Sequence, residues 1–190
     1  MTAPSPQVEH PLASRLLEMY IAAGLRGPIL EIAGGSGRNT RFLLGANVPL
    51  VTTRDDEPYT QLPGGRGLYA AALSTHGYLH GTVAKLRAGM GELRRVLTDD
   101  APIAITLGSV DDARFGFGDA LDDNTYAPGD GDEAGIPHAY FDRDGVIELL
   151  RPLFTIDALD EVDVDEIVGS WAHDSPGGMR HWFVIARRAQ

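Results

Sequence analysis

Cysteine is absent from this chain of 190 residues, and so are long apolar runs and any excess of basic residues. Without cysteine there is no disulfide framework, no thiolate nucleophile and no cysteine-ligated zinc. No uninterrupted apolar stretch is long enough to span a bilayer, and residues 1–10 lack the basic and apolar regions of a secretion signal. We therefore expect a cytoplasmic protein with no membrane partner.

The charge balance is strongly acidic, with 27 Asp and Glu against 16 Lys and Arg and a formal net charge of −11. Such a surface repels phosphate backbones and anionic lipids, so we expect no nucleic-acid partner. The length and the 43% share of hydrophobic residues predict one compact domain with a full-sized core.

Glycine is abundant, and its most informative cluster lies in residues 29–40, with the sequence ILEIAGGSGRNT. A short apolar run, a glycine-rich turn and a helix-like segment predict a strand–turn–helix unit whose backbone a ligand can approach closely. The spacing matches neither the dinucleotide fingerprint nor the P-loop, which weakens both phosphate-binding interpretations.

This segment resembles motif I of class I S-adenosylmethionine-dependent methyltransferases, an acid followed by small residues at alternate positions. The acid is Glu31 and the small residues are Ala33, Gly35 and Gly37, with alanine in place of the first glycine. A plain glycine-rich turn of another α/β fold is the alternative interpretation.

Two further segments resemble the same family. Residues 92–97, ELRRVL, are similar to its E-x-x-R-V-L-x-P-G-G segment, with DDAP at 99–102 replacing the glycines. Residues 142–153 (a predicted helix), 154–159 and 181–186 (two predicted strands) are similar in order to its C-terminal helix and closing hairpin.

Strands alternate with helices along the chain, which predicts a parallel sheet with helices on both faces. We expect an α/β, three-layer Rossmann-like methyltransferase fold with about six strands, the last one antiparallel. Predicted strands are 29–32, 48–53, 68–74, 103–107, 154–159 and 181–186, and predicted helices are 10–24, 39–44, 82–97 and 142–153. The single domain divides into the N-terminal helix 10–24, a cofactor half 29–110, a lid loop 111–141, and a C-terminal helix and hairpin 142–188.

Residues 54–67 replace a helix and a strand that the family normally has, because their prolines and glycines forbid a long helix. In the favoured register, 48–53 is the family's second strand, an edge strand is missing, and Asp55 or Asp56 grips the ribose. In the other register, residues 55–63 match an acid-x-x-x-L-P stretch, and the same acids face the adenine amine. Both registers leave a thinner adenine wall than usual.

The resemblance implies S-adenosylmethionine as the cofactor. Glu31 is expected to orient the loop and the cofactor's ammonium group. The full set of cofactor-binding residues that it implies is Glu31, Ala33, Gly34, Gly35, Ser36, Gly37, Asn39, Thr53, Arg54, Asp55, Asp56, Ser74 and Thr75.

Methyl transfer from a sulfonium requires positioning more than acid–base chemistry, but a base helps when the acceptor is a hydroxyl or an amine. His76, His80 and His138 are the candidate catalytic residues, and structural histidines are the alternative. His76 and His80 stand four residues apart and would share a helix face, but Gly77 disfavours a regular helix, so we predict no metal site.

Residues 111–135 are rich in Gly, Asp and Pro, which is typical of a lid or of a disordered acidic loop. Residues 136–141, IPHAYF, resemble a P-H-x-Y-F element that closes a lid over small substrates in the family, and we favour the lid. The predicted acceptor-binding residues are Tyr78, Phe115, Tyr140 and Phe141.

Three functions remain open. The favoured one is methyl transfer to a small-molecule acceptor, because the chain has no further recognition domain and no basic surface. The second is an inactive methyltransferase-like binding or regulatory protein, suggested by Ala33, the missing unit, and Tyr69 where the family often has an acid. The third is a stabilising subunit, which a surplus apolar sheet edge would indicate. A homodimer is also left open.

Overall fold

The computed structural model describes residues 8–171 and 177–190 and contains nine strands and four α-helices within those ranges. The strands are β1 Ile29–Glu31, β2 Leu50–Thr52, β3 Ala71–Ser74, β4 Pro102–Ser109, β5 Asp119–Asp122, β6 Thr125–Ala127, β7 His138–Phe141, β8 Phe154–Asp163 and β9 Arg180–Arg188. The helices are α1 Pro11–Ala22, α2 Arg38–Gly45, α3 Val83–Val96 and α4 Arg143–Leu150, with short 3-10 turns at Gly77–Leu79 and Val164–Glu166.

The main sheet has the strand order β2-β1-β3-β4-β9-β8. The first four strands are parallel, whereas β9 runs antiparallel to both β4 and β8. Every residue of β4 is buried, as expected for a central strand covered on both faces. This confirms the predicted mostly parallel sheet with an antiparallel last strand.

Helices cover both faces of this sheet. On one face, α3 and α4 bury residues such as Leu86, Met90 and Leu150 in the larger hydrophobic cluster. On the other, α1 and α2 bury Leu16 and Leu43 in a second cluster. The two clusters make the three layers predicted from the alternation of elements.

The segment between β2 and β3, residues 53–70, has no helix or strand of its own in the structure. It crosses beneath the sheet and packs on α3, where Tyr59 and Leu62 are buried and the Leu62 N–H donates to Glu92 Oε1 over 3.0 Å. β2 pairs in parallel with β1 and lies at the edge of the sheet. The predicted strand 68–74 is too long, since only Ala71–Ser74 pairs as a strand.

The segment predicted as a loop, residues 111–141, contains β5, β6 and β7, which form a small antiparallel sheet. β7 also lies parallel to the last two residues of β4, so this small sheet continues the main one. The loop prediction was therefore wrong about regular structure: nine strands exist where about six were expected, although the main sheet itself has six. None of the helices in the described ranges combines the length and hydrophobicity needed to cross a membrane.

Candidate functional site

A cavity of about 450 Å³ opens at the carboxyl ends of β1 and β3, the edge where the chain connections diverge. Seven of the predicted cofactor-binding residues line it: Ala33, Gly34, Gly35, Ser36, Asn39, Asp55 and Thr75. The remaining lining residues are Arg38, His76, Asp132, Glu133 and Trp171. The glycine loop thus forms one wall, and the 111–141 segment contributes the opposite one.

The glycine loop follows β1 through three residues in the left-handed region, Ala33, Gly35 and Gly37, with φ of 54°, 51° and 72°. The Ala33 N–H donates to Thr53 Oγ1 over 2.9 Å, and the Gly35 N–H donates to Asp55 Oδ1 over 3.1 Å. These bonds hold the loop against the residues that follow β2. Left-handed backbone costs an alanine about 1 kcal/mol more than a glycine, so Ala33 is strained where the family has glycine.

Glu31 is buried behind the loop and does not line the cavity. Its Oε2 accepts hydrogen bonds from Thr40 Oγ1 over 2.5 Å and from Thr52 Oγ1 over 3.3 Å. Burial raises the pKa of Glu31, and the donating hydroxyls oppose that rise. The side chain therefore connects β1 with α2 and β2, and its expected role toward the loop and the cofactor's ammonium group stays a prediction.

The two candidate acids after β2 point in different directions. Asp55 lines the cavity and accepts from the loop, whereas Asp56 pairs with Arg54 at 2.9 Å on the exposed surface. Hydrogen bonding to Arg54 lowers the pKa of Asp56. Arg54 and Asp56 thus lie outside the cavity, and Asp55 is the acid available to a ligand.

Asn39 joins three elements at the cavity floor. Its Nδ2 donates to Thr75 Oγ1 over 3.0 Å, and its Oδ1 accepts from the His10 N–H over 2.8 Å. Ser74 and Thr53 lie buried just behind this floor. The Asn39 side chain thus connects the start of α2 with the end of β3 and the start of α1.

The three candidate histidines come together on one side of the cavity. The ring centroids of His76 and His80 are 4.5 Å apart, and those of His80 and His138 are 4.8 Å apart. Glu133 lies between them, with Oε1 3.2 Å from His80 Nε2 and Oε2 3.2 Å from His138 Nε2. Arg114 Nη1 is 2.9 Å from the same Oε2.

The electrostatics of this cluster follow from burial and pairing. Hydrogen bonds from His138 and His80 hold the pKa of Glu133 well below its usual range, although burial opposes them. Burial lowers the pKa of His76 to about 4. At neutral pH, Glu133 is therefore a carboxylate and His76 is a neutral imidazole facing the cavity.

The fold that carries this cavity is shared with known proteins. No family model and no curated protein matches the sequence. Among solved structures, a 1,6-didemethyltoxoflavin-N1-methyltransferase from Burkholderia thailandensis, with bound S-adenosylhomocysteine, superposes with a TM-score of 0.68 at 17% identity. That match covers 95% of this chain and 77% of the other. The fold is that of the class I methyltransferases.

Other solved structures agree. A methyltransferase from Methanosarcina mazei matches with a TM-score of 0.65 at 13% identity, over 96% of this chain and 99% of its own. A cyclase also matches, with a TM-score of 0.58 at 14% identity over 94% of this chain and 80% of its own. The methyltransferase resemblance of the sequence is thus confirmed for the fold, and the presence of a cyclase shows that the fold alone does not fix the reaction.

Within the methyltransferase fold, the predicted acceptor-binding residues do not line the cavity. The ring of Tyr78 is fully buried against Tyr59, at 4.9 Å between centroids, because the 3-10 turn directs it into the core. Phe141 is also a core residue, and its carbonyl accepts from Trp182 Nε1. Phe115 and Tyr140 pack on each other at 5.6 Å inside the 111–141 segment. The Tyr78 and Phe141 predictions are corrected accordingly.

Four cavity residues were missed by the sequence: Arg38, Asp132, Glu133 and Trp171. Arg38 donates to the carbonyls of Gly169 and Trp171 over 2.6 and 3.1 Å, which holds the Trp171 segment at the cavity rim. Arg38 lies within the glycine-rich segment 29–40, so its position in the sequence could have indicated that it lines the cavity. The other three, Asp132, Glu133 and Trp171, lie in polar segments without regular structure and belong to no motif.

Proposed function

We propose that this protein transfers a methyl group from S-adenosylmethionine to a small-molecule acceptor. The single observation that carries the proposal is the cavity at the carboxyl ends of β1 and β3. One wall of it combines a left-handed glycine loop with the Asp55 carboxylate. Cofactor sites of doubly wound sheets occur at this edge, and the volume of about 450 Å³ lies in the usual range for small-molecule sites.

The cavity residues fit the parts of the cofactor by their chemistry. The glycine loop allows close backbone approach at the amino-acid end, and Asp55 can accept hydrogen bonds from the ribose hydroxyls. When bound, S-adenosylmethionine supplies a methyl group activated by its sulfonium. The carboxylates of Asp55 and Glu133 in the cavity wall favour a cationic ligand.

The histidine cluster is proposed as the acceptor side. His76 is neutral and lines the cavity, so its ring can accept a hydrogen bond from an acceptor hydroxyl or amine. His80 and His138 contact Glu133, and these contacts fix the carboxylate at the wall. The cavity volume of about 450 Å³ suits a small acceptor.

A cofactor-binding protein without methyl transfer is the second candidate. The observation that favours it is the segment between β2 and β3, which packs on α3 and contributes only Asp55 to the cavity lining. The stabilising-subunit alternative is weakened, because the β2 edge is three residues long and Val51 is its one exposed large apolar side chain.

Calorimetric titration with S-adenosylmethionine and S-adenosylhomocysteine tests the proposal. We expect micromolar binding that is lost in Gly35→Val, because valine is strained at a φ of 51° and its side chain extends toward Asp55. Gly65→Val is the matched control, since a Cβ at Gly65 meets nothing within 4 Å. No binding to the wild type, or equal binding to both variants, would contradict the proposal. Cofactor binding without turnover across an acceptor screen would favour the second candidate.

A further inference from the structure

Three donor groups converge beside the cavity in a way that the proposed methyl transfer does not itself require. Each of His76, His80 and Glu133 offers one ligand atom, and the three atoms lie within 4.8 Å of one another. The histidines flank the 3-10 turn after β3, whereas Glu133 comes from the 111–141 segment, 53 residues beyond His80. Folding, not local spacing, assembles this group.

The distance between two of the donors suits a metal ion. His80 Nε2 and Glu133 Oε1 are 3.2 Å apart. Two donors bound to one ion at about 2.1 Å each lie roughly 3 to 3.4 Å apart in tetrahedral or octahedral geometry. His76 completes the group, because its ligand atom lies within 4.8 Å of the other two.

Neighbouring side chains orient the Glu133 carboxylate, as the hydrogen-bond partners of metal-binding carboxylates do. Arg114 and His138 both contact Glu133 Oε2, at 2.9 and 3.2 Å, which leaves Oε1 facing the other two histidines. His138 is itself fixed, because its Nδ1 donates to the Ile136 carbonyl over 2.8 Å. Hydrogen bonds of this kind hold ligating carboxylates in place and tune affinity.

The donor group opens onto the cavity, since His76 and Glu133 both line it. Three protein ligands with an open position facing a cavity is the arrangement of catalytic rather than structural metal sites. We propose that His76, His80 and Glu133 bind one divalent first-row transition metal ion, such as Zn²⁺, Fe²⁺ or Co²⁺, whose open position receives the acceptor's oxygen. Two nitrogen donors and one oxygen donor match this class of ion and do not match Ca²⁺ or Mg²⁺.

The ion's chemical role rests on the proposed function, whereas its binding does not. An acceptor hydroxyl held on the ion gives its proton to solvent more readily, because the ion lowers its pKa. Its oxygen then forms a bond to the methyl carbon as the carbon–sulfur bond breaks, and S-adenosylhomocysteine leaves. The proposed site replaces our expectation of no metal site. That expectation considered only His76 and His80 on a helix face, and nothing in the sequence indicated that Glu133 lies beside them.

Metal titration of the chelator-stripped full-length protein tests the site without any cofactor. We expect Co²⁺ to bind one per chain, with visible d–d absorption of a nitrogen and oxygen site, and Zn²⁺ to displace it. Glu133→Gln and His76→Phe should each weaken Co²⁺ binding at least about tenfold. The matched control is Asp130→Asn, an exposed carboxylate in the same segment, which should leave the affinity unchanged.

Absence of saturable Co²⁺ binding to the wild type would overturn the proposal, and so would equal affinities in Glu133→Gln, His76→Phe and Asp130→Asn. His76→Phe guards against misfolding, because phenylalanine retains the ring contacts with His80 and Trp171 while removing both nitrogens. Binding of S-adenosylhomocysteine to the metal-free protein is measured separately. Its failure would count against the proposed function and leave the metal site standing.

Discussion

The backbone N–H of Gly35 donates to Asp55 Oδ1 over 3.1 Å, although 20 residues separate the two along the chain. This bond connects the loop after β1 with the segment after β2. It turns the Asp55 carboxylate toward the cavity, while the neighbouring Asp56 pairs with Arg54 outside it. Two adjacent acids that the sequence could not distinguish therefore have different positions.

Asp55→Ala is predicted to weaken binding of S-adenosylhomocysteine at least tenfold, because hydrogen bonds to a carboxylate contribute about 1.5–3 kcal/mol. Asp56→Ala, one residue away, should leave the dissociation constant within about twofold, since its exposed ion pair contributes little. Calorimetric titration of both variants measures the difference. Equal losses in the two variants would show that Asp55 does not contact the ligand.

His138→Ala is predicted to spare cofactor binding while lowering kcat about tenfold. His138 does not line the cavity, but its Nε2 lies 3.2 Å from Glu133 Oε2 and helps to hold that carboxylate in place. His138 is thus a positioning residue, and His138→Gln should recover part of the rate by restoring a polar contact with Glu133. Unchanged turnover in the alanine variant, or no recovery with glutamine, would remove His138 from the reaction.

Stability is predicted to fall as the pH drops from about 6.5 toward 3. Burial lowers the pKa of His10 and of His181 to about 3, so the folded protein binds fewer protons than the unfolded chain in this window. Their contribution is complete above pH 6.5 and is lost at roughly 1.4 kcal/mol per pH unit for each histidine. Urea unfolding at pH 6.5 and 5 should therefore differ by about 2 kcal/mol for each histidine.

His10→Asn separates the contribution of His10 to the pH dependence from that of the other buried histidines. Asparagine keeps an acceptor at the start of α1, where His10 Nδ1 now accepts from the Leu12 N–H. The variant should lose about a third of the pH dependence between pH 6.5 and 5, because burial also lowers the pKa of His181 to about 3 and that of His76 to about 4. The pKa of Glu133 is lowered, so Glu133 changes the stability mainly where ordinary carboxyl groups titrate, below the pH window of this measurement. An unchanged slope would show that His10 is not the titrating group.

Ala33→Gly is predicted to raise the free energy of unfolding by about 0.5–1 kcal/mol, because it relieves an alanine with a φ of 54°. The matched control is Ala23→Gly at the exposed end of α1, where φ is −80° and glycine should destabilise by a similar amount. Thermal unfolding measures both changes. A loss of stability in both variants would mean that the Ala33 methyl contributes more by packing than it costs in backbone strain.

The centre of the main sheet was predictable because β1, β3 and β4 are fully buried runs, and buried runs separated by amphipathic helices carry a strong pattern. The small sheet was not, since all four residues of β5 are exposed and show no hydrophobic alternation. The edge-strand deletion was visible as prolines and glycines. Its consequence, a crossing segment anchored on α3 by Leu62, depends on tertiary packing.

The candidate site divides in the same way. The glycine loop is local in sequence, so its residues could be named from the motif, whereas Asp55 could be named only together with Asp56. Glu133 and Trp171 reach the cavity from far along the chain, and no spacing rule relates them to His76. Tyr78 was misplaced because its position after β3 predicts a cavity role, whereas the 3-10 turn buries its ring.

The junction between β4 and β7 attaches the 111–141 segment to the main sheet. Gly108 and Ser109 pair with Tyr140 and Phe141, and the Val110 N–H donates to the Phe141 carbonyl over 3.1 Å. Both ends of the 111–141 segment are thereby fastened to the central strand. Between these ends, Arg114 and His80 hold the turn that carries Glu133, so the cavity wall from this segment is fastened to the same sheet that carries the glycine loop.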